Sequence, residues 1–479
     1  MAEEIETRLF IDGKFVPASD GGTFTLVNPH TRKAAAEVSE ATVDDVNAAV
    51  AAAQRAFPSW SALSPAARGA PMTRLADLIL EHKDELARLE AISMGKPVSE
   101  FIDAGAAAGN FRLYAGMGWQ ARGTTSLNTP GYMNVTVRQP FGVVGVIIPW
   151  NVPLLFLAKK VAPALAAGNT VVLKSSEKAP LTSAKVAALI QKAGFPAGVI
   201  NVLSGHGHTS GAAMSAHMQI RMLSFTGSLH TGKAIQKAAA DSNLKNVVLE
   251  LGGKSPAVVF ADADLDEAAR LTQYSVRTNA GQTCMQNSRI YVHADVADAF
   301  VAKFKEKIAA ARMGDPLDPA TQVGPIVDEV QRQRVLAYIE SGKQSGKLAL
   351  GEAAPEEGAY VTPTIFLETP EDSRIMKEEV FGPVVNINVF TSEDDVVKKA
   401  NDTEFGLYAS VFTKDIDRAL RMLSRLEAGT VGINCTSPTT GMDMPFGGYK
   451  QSGIGREGLE HSLNNYLEVK TALIKVNGL

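Results

Sequence analysis

The stretch Val143-Val144-Gly145-Val146-Ile147-Ile148-Pro149-Trp150-Asn151 decides the fold of this chain. Five β-branched residues and one glycine precede a proline, a pattern typical of a buried strand that ends in a turn. Similar apolar runs recur along the chain at 170–173, 199–203, 222–225 and 246–250. Helical patterns separate these runs, at 154–166, 181–193, 207–216 and 232–240. Buried strands with interposed helices predict a parallel sheet that is covered on both faces.

A second series of apolar runs predicts a second α/β domain of similar size, with strands near 257–260, 289–293, 384–390 and 409–412. The first part of the chain instead holds amphipathic, alanine-rich segments such as 43–57 and 65–94. The segments 132–138 and 466–476 alternate with a period of two, as half-exposed strands do. Because edge strands of this kind commonly pair with another chain, we expect a homodimer or a homotetramer.

Composition excludes several classes of function. The 479 residues are 45% hydrophobic and 20% charged, an ordinary globular mixture. The 47 Lys and Arg against 51 Asp and Glu leave a net charge of −4, which provides no basic surface for nucleic acid or an anionic membrane. Two distant cysteines and an acidic start without a leader pattern predict a reducing, cytoplasmic compartment. The uncharged stretch 139–158 is interrupted by prolines and glycines, so we expect no membrane span.

Two motif matches are discounted on their context. The stretch 453–458 fits the dinucleotide fingerprint G-x-G-x-x-G, but the polar segment 449–452 precedes it where an apolar strand is required. His206 and His208 form a close pair without a supporting cluster of carboxylates or cysteines. A plain turn is therefore expected there, and no metal site is predicted.

The stretch 227–233 nearly completes a phosphate-binding loop. Ala234, however, stands where a hydroxyl would hold magnesium, which argues against a nucleoside triphosphatase. A helix that starts after Ser228 still offers free N–H groups and a hydroxyl to a phosphate. The alternative is that Ser228 is a simple N-cap.

Cys284 is the candidate nucleophile. It lies in the polar, small-residue stretch 279–285 rather than in an apolar run. A lone cysteine is more commonly a small buried hydrophobe, but this setting favours catalysis. A thiol with an ordinary pKa is only slightly ionised at neutral pH, so a catalytic cysteine requires a base from elsewhere in the chain.

Two polar residues at predicted strand ends are candidates for the supporting roles. Glu250 ends the run 246–250, where a carboxylate is costly unless it is functional or paired, for example with Lys254. Asn151 also follows a buried strand. Its amide suits an oxyanion donor, or it caps the helix that begins near Pro153.

Together these signals resemble the NAD(P)-dependent aldehyde dehydrogenases over essentially the whole chain. The resemblance is carried, in the family's order and spacing, by the stretches 149–151 (PWN), 174–177 (KSSE), 225–228 (FTGS), 249–254 (LELGGK), 281–284 (GQTC), 378–383 (EEVFGP) and 445–453 (PFGGYKQSG). The implied fold class is α/β, with a variant Rossmann cofactor domain, a catalytic domain and a small β oligomerisation element. The expected ranges are 1–118 and 141–252 for the NAD-binding domain, 253–434 for the catalytic domain, 435–463 for a segment returning to the active site, and 119–140 and 464–479 for oligomerisation.

The resemblance implies a role for each catalytic candidate. Cys284 would attack the aldehyde carbonyl, and Asn151 with the Cys284 backbone N–H would hold the oxyanion. After hydride transfer to the nicotinamide, Glu250 would activate the water that hydrolyses the thioester, and Lys160 would lie in a proton path near this base. Three alternatives remain: a thiol esterase without cofactor, a CoA-acylating relative and a non-catalytic homologue. The cofactor residues argue against the first, Glu250 against the second, and Cys284 with Glu250 against the third.

For the cofactor the resemblance implies NAD, with NADP possible, and no metal. Lys174 and Glu177 would contact the adenosine ribose, and Ser228 the pyrophosphate. Because a carboxylate near the ribose 2′-position repels a 2′-phosphate, Glu177 favours NAD. The residues expected around the cofactor are Ile148, Pro149, Trp150, Lys174, Glu177, Phe225, Gly227, Ser228, Leu251, Glu379 and Phe381.

The resemblance also implies a substrate tunnel. Its expected lining is Val152, Leu155, Phe156, Lys159, Thr283, Met285 and Phe446. This mostly apolar set suits medium aliphatic or aromatic aldehydes. Lys159 leaves open a semialdehyde or hydroxyaldehyde substrate, unless its stem merely packs while its charge reaches solvent. Ser175 and Met285 depart from the family pattern, which usually has proline and a small residue there.

Overall fold

The computed structural model describes residues 5–351, 355 and 357–477. Within these residues the strands are β1 (Leu9–Ile11), β2 (Lys14–Val16), β3 (Thr23–Val27), β4 (Ala34–Ser39), β5 (Thr125–Ser126), β6 (Tyr132–Pro140), β7 (Val143–Ile147), β8 (Thr170–Lys174), β9 (Ile200–Leu203), β10 (Met222–Thr226), β11 (Asn246–Glu250), β12 (Pro256–Val259), β13 (Arg289–His293), β14 (Lys347–Leu350), β15 (Thr364–Leu367), β16 (Val384–Phe390), β17 (Tyr408–Phe412), β18 (Thr430–Ile433), β19 (Gly453–Ile454) and β20 (Leu467–Lys475).

The α-helices in the same residues are α1 (Val43–Ser61), α2 (Pro65–Glu81), α3 (Lys83–Met94), α4 (Asp103–Met117), α5 (Pro153–Ala167), α6 (Leu181–Ala193), α7 (Ala212–Ala216), α8 (Leu229–Asp241), α9 (Leu265–Arg277), α10 (Ala297–Ala309), α11 (Glu329–Ser345), α12 (Arg374–Lys377), α13 (Glu393–Asn401), α14 (Ile416–Arg425) and α15 (Leu459–Asn465). Short 3₁₀ turns connect several of them, and one of these, Thr278–Gly281, leads into the loop of Cys284.

The first large sheet has the strand order β19-β11-β10-β7-β8-β9-β1-β2. Its central strands, from β11 to β9, are parallel, and each of the outer strands β19, β1 and β2 is antiparallel to its inner neighbour. Side chains of β7 alternate between two apolar cores, with Val144 and Val146 in one and Val143 and Ile147 in the other. Helices therefore cover both faces, as the continuous apolar runs predict.

The second large sheet has the order β14-β15-β16-β13-β12-β17-β18, in which only β14 is antiparallel to its neighbour. Its strands also serve two cores, since Ala257 and Val259 face one and Val258 faces the other. The predicted α/β fold with two parallel sheets is confirmed, while the exact domain boundaries stay a prediction.

The two alternating segments of the sequence pair with each other within the chain. β20 runs antiparallel to β6 from Leu467 opposite Pro140 to Lys475 opposite Tyr132, and β5 completes a three-stranded sheet. Leu473, on β20, is 70% exposed. No further strand pairs with β20 in the described part of the chain, so its outer edge is free there. The last two residues of the predicted oligomerisation segment 464–479 lie outside the described range.

Several expected elements differ in detail. The segment 65–94 is two helices rather than one, because His82 leaves the helical region (φ −100°, ψ 18°) and lets α2 and α3 follow different directions. The stretch 207–216 begins with a π-helical turn before α7. Strands as short as β1 and β2 show no pattern in the sequence, since three residues are too few to show a period.

The uncharged stretch 139–158 contributes the end of β6, all of β7 and the start of α5. No helix in the described ranges is long and apolar enough to cross a membrane.

Candidate active site

The strand register of the first sheet brings the predicted site residues to one edge. Ile147 pairs with Lys174, and Thr226 pairs with Glu250, so β7, β8, β10 and β11 all end at the same level. Asn151 follows β7, and Glu250 is the last residue of β11; they are 3% and 2% exposed. Ligands of parallel sheets bind at this carboxyl edge.

Cys284 reaches this edge on a strained loop. Asn279, Ala280 and Gly281 all adopt positive φ angles, of 53°, 53° and 72°. A Cβ on Gly281 would lie 2.3 Å from the Gly382 carbonyl carbon, so glycine is required there by contact as well as by conformation. Residues other than glycine cost free energy in the left-handed region. They persist there only where the surrounding structure holds them, commonly at functional sites.

Two glycines after Glu250 allow the nucleophile loop to come close. A Cβ on Gly253 would lie 2.4 Å from the Cys284 carbonyl oxygen, and one on Gly252 would lie 2.3 Å from a Glu379 carboxylate oxygen. The Gly253 N–H donates to Glu379 Oε1 at 3.1 Å. The glycine pair thus packs the base strand directly against the thiol loop and Glu379.

Two N–H groups beside the thiol are suited to an oxyanion. Asn151 Nδ2 donates one hydrogen to the Gln282 carbonyl at 2.9 Å, which orients the amide and leaves its second hydrogen for a ligand. The Asn151 carbonyl accepts from Asn279 Nδ2 at 3.0 Å. The backbone N–H of Cys284 donates to no group within the described residues. The helix-cap role considered for Asn151 is not observed, because α5 has no side-chain cap.

Burial controls the ionisation of the catalytic pair. Burial, with a smaller effect of the Glu457 charge, raises the pKa of Glu250 to about 7, and Lys160 and Lys159 oppose this rise. The pKa of the Cys284 thiol is raised well above its usual value by burial and by the negative charges of Glu250 and Glu379. The thiol is therefore protonated at neutral pH, and Glu250 is the adjacent group able to take its proton.

The alternative ion pair between Glu250 and Lys254 is absent. Neither Glu250 oxygen has a hydrogen-bond partner of ordinary geometry in the described residues, and the same is true of Lys254 Nζ. Burial lowers the pKa of Lys254 to about 7. The Glu250 carboxylate is thus free to act on a neighbouring proton.

Lys160 lies behind the base, where it forms a buried ion pair that sequence analysis missed. Its Nζ is 2.5 Å from Glu457 Oε1 and donates to Ser224 Oγ at 3.0 Å. Glu457 belongs to the discounted glycine-rich stretch, whose first residues form β19 beside β11. No local pattern could have indicated Glu457, because its partner lies 297 positions away.

Around the expected adenosine site, Lys174 is buried and forms no ion pair with any residue that the structure describes. Its Nζ donates to the Ser175 carbonyl at 2.9 Å, and burial lowers its pKa to about 8, against the opposing charges of Glu177 and Glu40. Ser228 Oγ accepts from the Thr231 N–H at 3.3 Å and so caps α8. The N-cap interpretation of Ser228 is confirmed, and the phosphate contact stays a prediction.

The remaining cofactor candidates line the same edge. The rings of Trp150 and Phe381 meet edge to face, with centroids 5.3 Å apart. Ile148 donates its N–H to the Lys174 carbonyl at 3.1 Å. Burial raises the pKa of Glu379 to about 7. The other four candidates, which lie at or just after the ends of β7, β10 and β11, are Pro149, Phe225, Gly227 and Leu251.

The predicted tunnel residues separate into two groups. Lys159 and Phe446 line a small cavity, and Cys284 and Met285 pack beside Phe446. Lys159 Nζ lies 5.2 Å from the Phe446 ring centroid and 6.0 Å from that of Phe156, with no ion pair in the described residues. Val152, Leu155 and Thr283 are half-buried and do not line the cavity. Other residues that line the cavity of Lys159 and Phe446 had no signal in the sequence, namely Asn110, Leu113, Tyr114, Met442 and Met444.

The histidine pair has a structural role. His206 Nδ1 lies 2.7 Å from Glu40 Oε1, and its ring packs edge-on against Phe24. Among the described residues, no group of three or more His, Cys, Asp or Glu side chains is arranged to hold a metal.

The fold and site define a doubly wound α/β enzyme scaffold with a cysteine placed between an amide donor and a buried carboxylate. The sequence model described as "Aldehyde dehydrogenase family" matches residues 15–472. The chain belongs to the aldehyde dehydrogenase family.

Individual relatives extend over nearly all of the chain. An aldehyde dehydrogenase of Alternaria alternata is 46% identical over 99% of this chain and 96% of its own length. The structure of a gamma-glutamyl-gamma-aminobutyraldehyde dehydrogenase from Burkholderia cenocepacia is 44% identical, with a TM-score of 0.97 over 99% of this chain and 98% of that one. An indole-3-acetaldehyde dehydrogenase of P. syringae, solved with NAD+, is 39% identical with a TM-score of 0.97 over 99% and 98% of the two chains.

Removing the Glu250 charge is expected to make Cys284 more reactive in the cofactor-free protein. The anion disfavours the thiolate, so Glu250→Gln should shift the midpoint of iodoacetamide alkylation to lower pH by about one unit. Both proteins carry Cys435→Ser, so that mass spectrometry follows Cys284 alone. An unchanged midpoint would show that the Glu250 charge does not act on the thiol, and a higher midpoint would show that Glu250 acts on it as a base rather than through its charge.

Proposed function

We propose that this chain oxidises an aldehyde to a carboxylic acid, with NAD as the hydride acceptor and Cys284 as the nucleophile. The observation that carries the proposal is the grouping of three functions at one sheet edge. These are the Cys284 thiol, the available N–H groups of Asn151 and Cys284, and the Glu250 carboxylate, which forms no ion pair with the described residues. Family membership and the NAD+ bound to the P. syringae relative support it.

The residues present fit a dinucleotide. Within the described ranges the buried Lys174 ammonium bonds only to a backbone carbonyl, so it lacks an acceptor that ribose hydroxyls would supply. The start of α8 provides N–H groups for a pyrophosphate next to Ser228. We therefore assign the first sheet, with residues 1–118 and 141–252, to cofactor binding. Residues 253–434 then form the catalytic domain.

In the first step, Glu250 accepts the thiol proton and Cys284 Sγ bonds to the carbonyl carbon of the aldehyde. The carbonyl oxygen becomes an oxyanion that accepts hydrogen bonds from Asn151 Nδ2 and the Cys284 N–H. Such donors are worth about 3 kcal/mol each when they are aimed at the developing charge. The product of this step is a thiohemiacetal.

NAD held by Lys174 and the start of α8 would supply the hydride acceptor, and loss of a hydride from the thiohemiacetal carbon would leave a thioester on Cys284. Glu250 releases the thiol proton to solvent and then takes a proton from a water molecule, whose oxygen attacks the thioester carbonyl. The carbon–sulfur bond breaks, the acid leaves, and the Cys284 thiolate recovers a proton from Glu250. Lys160, ion-paired with Glu457, stabilises the anionic form of Glu250 during this step.

Separate variants distinguish the two catalytic groups. Cys284→Ala should abolish NADH formation, whereas Glu250→Gln should still form a burst of NADH and then turn over at least about 100-fold more slowly. The wild-type steady-state rate should rise through about pH 7, because the Glu250 base is active only when deprotonated and burial raises its pKa to about 7. Glu250→Gln should lack this rise.

Absorbance at 340 nm measures the burst and the steady state, and Cys435→Ser is the matched control for Cys284→Ala. If the wild-type protein forms no NADH from a panel of aldehydes but hydrolyses a phenyl ester through Cys284, the proposed aldehyde oxidation is wrong. The protein would then be a cofactor-independent esterase.

We infer a preference for NAD over NADP from Glu177, which lies close enough to Lys174 to raise its pKa. A carboxylate there accepts ribose hydroxyls and repels a 2′-phosphate. Glu177→Gln should raise the ratio of kcat/KM for NADP to that for NAD about tenfold, equivalent to about 1.4 kcal/mol.

Glu40→Gln is the matched control, because Glu40 also acts on Lys174 but bonds His206. It should change the NADP-to-NAD ratio less than about twofold. An equal change in both variants would contradict the assignment of Glu177.

A substrate that carries an acidic group is a second candidate, favoured by the unpaired Lys159 ammonium in the tunnel cavity. If it binds such a group, Lys159→Met should lower kcat/KM for 4-carboxybenzaldehyde about tenfold, the scale of a charged hydrogen bond, and leave benzaldehyde unchanged. Lys159→Arg should retain most of the preference. Equal losses for both aldehydes would assign Lys159 to packing alone.

Homo-oligomerisation through β6 and β20 and a cytoplasmic location remain predictions. The exposed Leu473 on the free edge of β20 supports the first of them.

A further inference from the structure

The helix that follows Asn151 lacks a cap of its own. α5 begins at Pro153, and its N-cap residue Val152 has no side-chain acceptor. The first N–H groups of a helix need acceptors, and the helix dipole favours a negative charge there. The Leu154 N–H instead donates to Glu90 Oε1, at 3.4 Å, from the separate helix α3. Glu90 therefore supplies from outside the anion that the start of α5 lacks.

Glu90 is held in a buried ionic cluster. Its Oε2 lies 2.9 Å from Lys96 Nζ, which also bonds to Asp103 at the start of α4. All three side chains are almost completely buried. Burial, together with the Asp103 charge, raises the pKa of Glu90 to about 7, and Lys96 opposes this rise. Buried charges are costly, so their presence calls for a specific role.

The turn between β7 and α5 is thus held from two sides. On one side, Asn151 exchanges hydrogen bonds with the nucleophile loop, through Gln282 and Asn279. On the other side, Glu90 binds Leu154, three residues further along the chain. The chain between these two anchors is short, so displacement of the Glu90 contact would shift the Asn151 amide relative to the thiol.

We propose that Glu90 is a positioning residue for the oxyanion site: by capping α5 from α3, it fixes the turn that places the Asn151 amide beside Cys284. This inference rests on the proposed oxyanion role of Asn151. Glu90 itself touches no reacting atom, and it acts through the first turn of α5. Lys96 favours the charged form of Glu90 and holds its carboxyl in place.

A double-mutant cycle with Asn151 tests the coupling. Glu90→Gln keeps the volume of the side chain but removes the charge that binds Lys96 and attracts the helix N-terminus. Stopped-flow absorbance measures the rate of NADH formation in the first turnover. We expect Asn151→Ala to lose about 100-fold and Glu90→Gln about fivefold. The double variant should match Asn151→Ala within about twofold.

The Michaelis constants distinguish a positioning role from a purely structural one. If Glu90 positions the oxyanion donor, Glu90→Gln should leave the KM for NAD and for the aldehyde nearly unchanged, because an oxyanion donor acts mainly in the transition state. Asp45→Asn is the matched control: Asp45 is a buried carboxylate that caps α1 away from the thiol. It should lower the midpoint of thermal unfolding and leave the first-turnover rate within about twofold.

Two outcomes overturn the proposal in distinguishable ways. If Asn151→Ala is slow but Glu90→Gln is normal, or if their losses multiply in the double variant, Glu90 does not act through Asn151. If Asn151→Ala itself reacts normally, the oxyanion role fails and the positioning role fails with it. Should Glu90→Gln not fold, Glu90→Asp provides the same cycle, since it keeps the charge but withdraws the carboxylate from Leu154.

Discussion

The close approach of two backbones is the constraint on which the rest of the site depends. The Cys284 carbonyl occupies the space that a side chain at residue 253 would need, and Gly382 occupies the space beside Gly281. Only glycines permit this contact, and one of them must also adopt a positive φ angle. The contact brings the thiol loop of the second sheet against the strand end of the first. Base, amide donor and thiol meet because no Cβ atoms separate them.

Burial then determines the charge state of what has been brought together. Glu250 and Glu379 have pKa values raised to about 7, and their negative charges raise that of Cys284. Lys160 and Lys159 oppose the rise at Glu250 from the same helix, α5. The site therefore keeps its thiol protonated and its base near neutrality. A group in that state can take a proton and release it again with little free-energy cost at physiological pH.

Helix α5 connects these features. Asn151 directly precedes its N-cap residue, its middle carries both lysines, and its first turn is bound by Glu90 from α3. Helix α3, which lies before β5 in the sequence, thus supports the site through this contact. The segment after β18 does so chemically, since it brings Glu457 to Lys160. A site of this kind draws on nearly the whole length of the chain.

Local pattern alone determined much of this protein. The strands 246–250, 289–293 and 384–390 were predictable to the residue, because continuous β-branched runs are buried on both faces of a parallel sheet. Glu250 and Asn151 were identifiable as candidates because polar residues at the ends of such runs are costly without a function. Cys284 was identifiable because it lies in a polar, small-residue stretch instead of an apolar run. The tertiary structure determined which residues and strands are partners. Lys160 pairs with Glu457, Leu154 binds Glu90, and β6 pairs with β20 of the same chain. Those contacts join residues far apart in sequence. The sequence around each residue is the same whether or not its partner is nearby, so it does not indicate the partner.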